Sequence, residues 1–434
     1  MATAARFLSA ATRPFQHFGQ IRDFATTAGV EFVVLACTLL SLRLAAVYWG
    51  PTGFGEYVIF RRDIGLLQLP LSLSVALGIT RYVAIARTTG KSERAYAIAA
   101  ALACLTTLVM ALVVTLLAPA MMADLLFGSP SYVTLLRSLL LAVAGLVMHS
   151  VAYGVFRGRL DMRSANALQF ANIAIVPLIV LSIPHRTVAQ VGAAIGGAWL
   201  LVALTSLALG QRRATGSVTR SEVVGALREL LGYGLPRVPG EFALSALFAV
   251  PVTMMAHRVG VAEAGYLGFG ISLVTMIASV FTPLGLIMLP STSALIARND
   301  VSDLRQNAFR ITAICVCGAA VAVAAIVALA PFIVARGLGS AFVAAVPLVR
   351  LVVLAAIPYV SYIVLRNVLD AAHARPFNAK NLLIGLSVVW GAGLVDGRPA
   401  VMPLAVLAGT TVIGALTALD SWRILGRLQD ITRA

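Results

Sequence analysis

Charged residues are scarce in this sequence, at 12% of its 434 residues, whereas hydrophobic residues make up 60%. Two or three soluble domains of this total length would need more polar side chains to cover their surfaces. Apolar stretches of about 20 residues, enough to cross the hydrocarbon core of a bilayer, follow one another almost continuously from Thr27 to Ala418. The scarcity of charge excludes separate soluble domains and predicts an all-α protein that crosses a membrane many times.

Cysteine and histidine are too few and too scattered for a metal site. The four cysteines lie inside apolar runs with few other ligands nearby and are predicted to be small buried hydrophobic residues: Cys37, Cys104, Cys315 and Cys317. Four of the five histidines lie in or near the apolar runs, show no ligand spacing and are assigned no role: His149, His185, His257 and His373. The sequence predicts no metal, no organic cofactor and no catalytic residue.

Long polar connections are also missing. A membrane glycosyltransferase or polymerase would normally carry a sizeable soluble loop with acidic catalytic or metal-binding residues. The longest internal connection, 211–229, is basic and has no paired carboxylates, phosphate-binding loop or nucleophile arrangement. This absence argues against an enzyme.

A cleavable signal peptide is not expected. The first apolar run begins at Thr27, contains Glu31 and Arg43, and lacks a small-residue cleavage site after it. The preceding segment, 1–26, mixes Phe with Arg and is predicted to lie on the cytoplasmic membrane surface as an amphipathic stretch.

The apolar runs predict twelve transmembrane helices in two six-helix lobes around a central cavity. The helices are expected near 27–49, 58–86, 95–118, 136–156, 166–184, 190–210, 232–257, 265–296, 311–334, 345–368, 381–395 and 400–419. The predicted domains are an N-lobe (27–210), a basic cytoplasmic linker (211–231), a C-lobe (232–420) and a cytoplasmic tail (421–434).

The distribution of basic residues predicts the orientation. Most of the 33 Arg and Lys residues fall in alternate connections and at both termini, whereas the other connections hold only Arg137, Arg186, Arg258, Arg336 and Arg398. Because basic loops stay in the cytoplasm, both termini are predicted to be cytoplasmic. The net charge of +16 then reflects the orientation of the helices in the membrane and does not indicate that the protein binds nucleic acid. Low Lys with high Arg and Ala usage favours a bacterial source, and hence the inner membrane.

The two halves of the chain share a weak internal repeat. Three pairs of residues are each 210 positions apart: Glu31 and Glu241, Gly50 and Gly260, Gly55 and Gly265. Two copies of a six-helix unit would have the same orientation and be related by an axis along the membrane normal, with a cavity between them.

Several segments carry a family resemblance. Residues 44–57, LAAVYWGPTGFGEY, resemble the first outer loop of bacterial polysaccharide transporters, where Leu-Gly-Pro-x-x-Phe-Gly-x-Tyr is typical, although Trp49 replaces the usual Leu. Residues 233–241 resemble the seventh helix of that family, 283–290 its eighth, and 366–378 a later segment. The chain resembles, over essentially its whole length, the polysaccharide transporter or O-antigen flippase (Wzx-type) family of the multidrug/oligosaccharidyl-lipid/polysaccharide exporter superfamily.

This resemblance implies a flippase that is not an enzyme. Its substrate would be a polyprenyl-diphosphate-linked oligosaccharide, an O-antigen or exopolysaccharide repeat unit, moved from the cytoplasmic to the periplasmic leaflet by alternating access. Its partners would be that glycan, membrane lipid and other polysaccharide-assembly proteins. A lipid II flippase and a cation-coupled drug antiporter remain alternatives, because both share the two-lobed architecture. The length argues mildly against the lipid II branch, whose members typically carry two extra helices.

Arginines inside the predicted helices are the candidate diphosphate ligands. A charge within an apolar helix costs about 2.5–3.5 kcal/mol on insertion scales, so each should face water or a partner, and the planar guanidinium matches phosphate geometry. The candidates are Arg43, Arg61, Arg62, Arg81, Arg237 and Arg350. The alternatives are that Arg61 or Arg62 snorkels to the interface with Asp63 neutralising a neighbour, that Arg81 is a topology charge, and that Arg350 caps its helix.

Two carboxylates and one Pro-Gly cluster are candidates for the transport cycle. Glu31 and Glu241 begin the first helix of each half and could couple transport to H⁺ or Na⁺; the alternative is structural ion pairing, Glu241 with Arg237 at i, i+4 spacing. The predicted hinge consists of Pro236, Pro239 and Gly240.

Overall fold

The fold is helical throughout the part of the chain that the computed structural model describes. That part consists of residues 18–183, 187–212, 218–297, 304–372, 377–395 and 398–433. It forms α-helices joined by 3-10 turns and one π-helical turn, with no β-strand among the described residues. Eleven described segments are long and apolar enough to cross a membrane, and the first, Gly29–Leu71, contains two helices. The predicted all-α polytopic membrane protein is confirmed.

The first two helices meet at Gly50. A single helical assignment runs over Phe18–Leu71, but Gly50 has φ 62° and ψ −168°, a conformation open to glycine because it has no Cβ. Helix α1 covers residues 18–49 and α2 covers 51–71. The sequence predicted that the second helix begins only at residue 58. That boundary is wrong, because Pro51 has the φ that suits a first helical turn and the helix resumes at once.

The predicted second transmembrane helix, 58–86, is interrupted. Helix α2 ends at Leu71, and α3 (Val75–Thr89) begins after a three-residue break. Leu73 and Ser74 in this break both have φ of 51°, which is uncommon for residues other than glycine. A proline one position before the end of α2 removes a backbone donor and favours the interruption.

The first compact unit comprises Ala25–Gly265. After α3 it contains α4 (Glu93–Leu117), α5 (Pro119–Phe127), α6 (Val133–Gly158), α7 (Met162–Gln169), α8 (Val176–Leu181), α9 (Val188–Arg212), α10 (Arg220–Gly234) and α11 (Val238–Arg258). A π-helical turn, Phe170–Ile175, joins α7 to α8, and a 3-10 turn, Leu235–Arg237, joins α10 to α11.

The second compact unit contains Tyr266–Ala434. Its helices are α12 (Val261–Ala297), whose first turn belongs to the first unit, α13 (Leu304–Gly337), α14 (Val346–Val352), α15 (Ala356–Ala372), α16 (Asn378–Val395) and α17 (Val401–Arg433). The units divide at Gly265 and not at the predicted linker, 211–231, because α10 and α11 pack against α3, α4 and α5. The two predicted lobes, 27–210 and 232–420, are the parts of the chain expected to move relative to each other during transport. They stay a prediction.

Two ion pairs join segments of the first unit, and one of them involves α10. Lys91 Nζ lies 2.7 Å from Glu229 Oε1 on α10, and the Tyr96 hydroxyl donates to the other oxygen of Glu229. The hydrogen bond to Glu229 raises the pKa of Lys91. A second pair joins Arg159 Nε to Glu93 Oε2 at 2.7 Å. The first pair joins α10 to the segment before α4, and the second joins the residue after α6 to the start of α4. Exposed pairs contribute little stability.

The cysteines are less uniformly buried than the sequence predicted. Cys104 and Cys315 are buried and Cys37 is half-buried, but Cys317 is exposed. Two residues that are two positions apart on a helix point in different directions, so Cys315 and Cys317 could not share one buried face.

Helices α6 and α9 pack closely because glycines remove side chains from their contact. A Cβ on Gly196 would lie 2.5 Å from the backbone nitrogen of Ala142, and one on Gly145 would lie 2.7 Å from the carbonyl oxygen of Gly196. Small residues permit this close approach of membrane helices.

Gly196→Ala should therefore destabilise the protein by about 1–3 kcal/mol through overpacking, because the neighbouring backbone atoms cannot move aside by changing rotamer. Gly197→Ala is the matched control: a Cβ there meets nothing within 4 Å, and alanine is the better helix former. Thermal unfolding in detergent should show a lower Tm for the first variant alone. Equal Tm values for the two variants would contradict the close packing.

Candidate functional site

A polar cavity lies inside the first unit, and it has two adjoining parts that share Leu146 and Ile173. The smaller part encloses about 160 Å³, and its polar and aromatic lining includes Thr38, Ser41, Tyr57, Arg61 and Trp199. The larger part encloses about 320 Å³, and its lining includes Gln68, His149, Ser150, Tyr153, Arg157 and Gln169. Each part contains one arginine, and no carboxylate is among the described residues that line them. Both charges that line the cavity are therefore positive, and a carboxylate beside the larger part, that of Glu31, interacts with Arg157.

Each arginine of the cavity lies beside a tyrosine one helical turn earlier. The Arg61 Cζ is 5.9 Å from the ring centroid of Tyr57 on α2, and the Arg157 Cζ is 5.6 Å from that of Tyr153 on α6. Residues at i and i+4 share a helix face, and a cation is attracted to the face of an aromatic ring. These contacts orient the guanidinium groups, and each guanidinium also forms a side-chain hydrogen bond with the same tyrosine.

A chain of hydrogen bonds crosses the larger part of the cavity through His149. Its Nδ1 lies 3.2 Å from Asn172 Nδ2 and its Nε2 lies 3.1 Å from Gln169 Oε1. The amide nitrogen of Asn172 can only donate, so Nδ1 accepts and Nε2 donates to Gln169. Gln169 Nε2 in turn lies 3.5 Å from Glu31 Oε1, at the limit of a hydrogen bond. The chain links buried Asn172 to exposed Glu31.

The π-helical turn Phe170–Ile175 positions Asn172. The Trp199 Nε1 donates to the carbonyl oxygen of Asn172, and Asn172 Nδ2 lies 3.3 Å from the carbonyl oxygen of Trp199. This reciprocal pair holds the turn against α9. π-Helical turns are frequently found at functional sites, and here the turn supplies a residue of the hydrogen-bond chain.

The structure places the predicted arginines of α1 and α2 in different surroundings. Arg61 lines the smaller part of the cavity, as a diphosphate ligand would require. Arg43 is exposed and lines neither part, and Arg62 is half-buried outside the lining. Arg43 lies seven residues before Gly50 and Arg61 six after Gly55, which predicts a similar depth on adjacent helices and a joint contact with one headgroup; this stays a prediction.

Arg81 and Arg237 meet on one tyrosine. Their Cζ atoms lie 5.2 Å and 3.7 Å from the ring centroid of Tyr233, and Arg237 Nη1 donates to the Tyr233 carbonyl oxygen at 2.7 Å. Tyr82 stacks on Tyr96 and packs edge-on against Tyr233. Two of the six predicted arginines are thus brought together on an aromatic cluster.

Arg350 belongs to the second unit. It is exposed on α14, and its Nε donates to the carbonyl oxygen of Val327 on α13 at 3.1 Å. The alternative interpretation expected Arg350 to cap its own helix. The carbonyl group to which it donates belongs instead to a neighbouring helix.

The predicted coupling and hinge residues of the second half lie at or just before the beginning of α11, whereas Glu31 lies well inside α1, which begins at Phe18. Glu31 is exposed on α1. Glu241 is half-buried in the first turn of α11, and its pairing with Arg237 stays a prediction. The predicted hinge coincides with a change of helix type: Pro236 lies in the 3-10 turn, and Pro239 and Gly240 lie in the first turn of α11.

Asp63 is a buried acid that the sequence interpretation treated only as a neutralising neighbour. It is fully buried, and neither carboxyl oxygen has a hydrogen-bond partner among the described residues. The Thr253 hydroxyl on α11 faces it, but that hydroxyl lies 3.4 Å from the Ala249 carbonyl oxygen. The alternative that Asp63 neutralises Arg61 or Arg62 stays a prediction.

Sequence reasoning missed several polar residues of the cavity. His149 was assigned no role, and Gln68, Gln169, Asn172 and Arg157 were not singled out. The available signal was their polarity inside predicted helices, since polar side chains at membrane depth tend to face the interior of the bundle. No group of three His, Cys, Asp or Glu residues able to hold a metal occurs in the described part of the chain.

Comparison with known proteins shows the fold. Neither a family model nor a curated protein matches the sequence. An inward-facing multidrug resistance MATE family transporter of the MOP superfamily matches with TM-score 0.74 and 14% identity, over 92% of this chain and 96% of that one. An outward-facing transporter of the same description matches with TM-score 0.61 and 14% identity, over 94% and 96%.

A third similar structure is a MOP superfamily transporter from Pyrococcus furiosus, described as having a reverse polarity of the binding pocket that suggests a different function. It matches with TM-score 0.63 and 14% identity, over 95% of this chain and 96% of that one. The chain therefore has the fold of the MATE transporters of the MOP superfamily.

Proposed function

We propose that this protein is a flippase that moves a polyprenyl-diphosphate-linked oligosaccharide, an O-antigen or exopolysaccharide repeat unit, across the membrane by alternating access. The charge of the polar cavity carries the proposal. Arg61 and Arg157 line its two parts, and no carboxylate of the described chain does. A cavity of this charge favours an anion, and diphosphate is the anion whose oxygens match the guanidinium donors.

The remaining lining suits a sugar. Hydroxyl and amide groups from Thr38, Ser41, Gln68, Ser150 and Gln169 can both donate and accept hydrogen bonds, as the hydroxyls of a glycan require. The two volumes, about 160 and 320 Å³, together fall in the usual range of small-molecule sites. They accommodate the diphosphate and the sugar next to it, and the polyprenyl tail stays in lipid.

The pair Arg81 and Arg237 provides a second anion-binding position. Both guanidinium groups lie over Tyr233, and they belong to the end of the unit where α3 and α10 meet. In the orientation predicted from the basic residues, with both termini in the cytoplasm of a bacterial cell, this end faces the cytoplasm. The pair would receive the diphosphate before it enters the cavity.

The fold supports alternating access. Structures of this fold are described in inward-facing and outward-facing conformations. The cycle needs no bond to be made or broken, so no enzyme activity is proposed. Coupling to H⁺ or Na⁺ would pass through a carboxylate, and Glu31, Glu241 and Asp63 are the candidates. Membrane lipid and other polysaccharide-assembly proteins are the proposed partners, and nucleic acid is not.

A drug antiporter is the second candidate, because the similar structures include multidrug resistance transporters. An organic cation would be repelled by Arg61 and Arg157, so the charge of the cavity favours the flippase. A lipid II flippase would share the cationic cavity and differ in the glycan that it accepts.

Transport in proteoliposomes tests the proposal. The purified protein should move a fluorescent undecaprenyl-diphosphate oligosaccharide between leaflets. Arg61→Gln and Arg157→Gln should each weaken apparent substrate affinity by about 10-fold or more, because a hydrogen bond to a charged group contributes about 1.5–3 kcal/mol. Arg258→Gln, which removes an exposed arginine of α11 outside the cavity lining, should behave as wild type.

Two outcomes would overturn the proposal. One is a wild-type protein that moves no lipid-linked glycan but extrudes organic cations, which would favour the drug antiporter. The other is an equal loss of transport in the Arg258→Gln control, which would assign the effect to overall charge and not to the cavity.

A further inference from the structure

A second, apolar groove lies on the membrane-facing side of α4, α6 and α9. It encloses about 700 Å³ and is lined by fourteen residues, of which thirteen are apolar. The exception is Arg137, in the second turn of α6. The residues of α6 that line the groove, such as Ala144, lie on the opposite side of the helix from those that line the polar cavity, such as Leu146. The two sites therefore lie on different faces of α6.

The groove exists because α4 stands away from α6. Helix α9 contacts α6 closely through Gly145 and Gly196, whereas α4 makes fewer contacts with α6. Small residues on the facing surfaces, Ala101 and Ala144, leave the space between them unfilled. Leu105, Val109 and other exposed apolar side chains form its open side.

The dimensions of the groove suit a hydrocarbon chain. Its lining on α4 runs from Ile98 to Leu112, which at about 1.5 Å per residue is about 21 Å along the helix axis. That is about two-thirds of the roughly 30 Å hydrocarbon core of a bilayer. A lipid tail lying along the groove would extend from the headgroup region towards the opposite leaflet.

Arg137 indicates the charge of the headgroup that a lipid in the groove would carry. It is exposed, it lies near the end of the span Pro130–Gly158, and no acidic residue of the described chain pairs with it. At this depth an arginine meets the phosphates of lipid headgroups. An occupant with an apolar tail and a negative headgroup would satisfy both the groove and its one cation.

We propose that this groove is a binding site for an anionic phospholipid, with one acyl chain lying between α4 and α6 and the phosphate held by Arg137. The location decides between a phospholipid and the carrier lipid of the transport substrate. A carrier whose diphosphate is bound in the polar cavity cannot place its tail on the other face of α6 without crossing that helix. The occupant is therefore a resident lipid, and the site does not depend on the proposed function.

Lipid titration of the purified protein, followed by native mass spectrometry, tests the site. The wild-type protein should bind phosphatidylglycerol more tightly than phosphatidylcholine. Arg137→Gln should weaken phosphatidylglycerol binding by about tenfold and leave phosphatidylcholine binding unchanged. Ala101→Phe, which fills the groove, should weaken the binding of both lipids.

Matched controls separate the site from general effects. Arg258→Gln removes an exposed arginine outside the groove, and Val113→Phe enlarges an exposed residue of α4 that does not line it; neither should change lipid binding. Equal binding of the two lipids by wild type, or an equal loss in Arg258→Gln, would overturn the site. Displacement of phosphatidylglycerol by lower concentrations of undecaprenyl phosphate, lost in Arg137→Gln, would overturn the choice of a phospholipid.

Discussion

Asp63→Asn should yield a folded protein whose transport no longer responds to an ion gradient. Asp63 is fully buried, and its carboxyl oxygens have no hydrogen-bond partner among the described residues. An ionised carboxyl without a partner is costly to bury, so the neutral amide of similar shape should be tolerated. Such a carboxyl is suited to exchange an ion during the cycle and is not explained by a structural ion pair.

Gradient-driven transport in proteoliposomes measures the effect, with thermal unfolding as the check on folding. Asp63→Asn should retain the wild-type Tm or exceed it, and its transport rate should equal the rate without a gradient. Asp124→Asn, which replaces an exposed carboxylate of α5, should remain coupled. Full coupling in Asp63→Asn together with its loss in Glu31→Gln would transfer the role to Glu31, the residue that the sequence predicted.

Gly55→Ala should shift the protein away from the conformation in which the beginning of α2 contacts the beginning of α12. A Cβ on Gly55 would lie 2.0 Å from the carbonyl oxygen of Val261, and a Cβ on Gly265 would lie 2.7 Å from the Gly55 Cα. These neighbours are backbone atoms, so no rotamer change relieves the contact. Overpacking of about 1–3 kcal/mol would change a two-state equilibrium by about 5- to 150-fold.

Electron paramagnetic resonance between spin labels at Thr52 and at Arg258, both exposed, measures the shift. Gly55→Ala and Gly265→Ala should each increase the population with longer distances between the labels. Gly197→Ala should leave the distribution unchanged, because a Cβ at Gly197 meets nothing within 4 Å. Wild-type distributions in all three variants would show that this contact does not open.

Gly55 and Gly265 also illustrate what a repeat in the sequence can predict. They are one of three pairs that are 210 positions apart, and the structure brings this pair into contact. The spacing predicts that the two glycines occupy equivalent positions, and this equivalence stays a prediction. Their contact depends on how α2 packs against α12, which the spacing does not indicate.

Helix boundaries followed only in part from the sequence: α10 (Arg220–Gly234) lies mostly within the predicted linker, 211–231, and α17 continues to Arg433 through most of the predicted tail. The apolar runs predicted the helical regions, because each must satisfy its own backbone hydrogen bonds in lipid. The break between α2 and α3 was missed, since Leu73 and Ser74 at positive φ have no signature in residue type. The immediate start of α2 at Pro51 was missed for the opposite reason, because Gly-Pro is typical of a loop.

The sequence by itself determined that this chain is a helical membrane protein and which of its charged residues lie inside helices. Both follow from the cost of placing polar groups in hydrocarbon, which depends on residue type alone. Only the tertiary structure decided which of these residues meet: Arg61 at the cavity, Arg81 with Arg237 on Tyr233, and buried Asp63 facing Thr253. Helical periodicity fixes the face of a side chain on its own helix, but its partner depends on how neighbouring helices are rotated and packed.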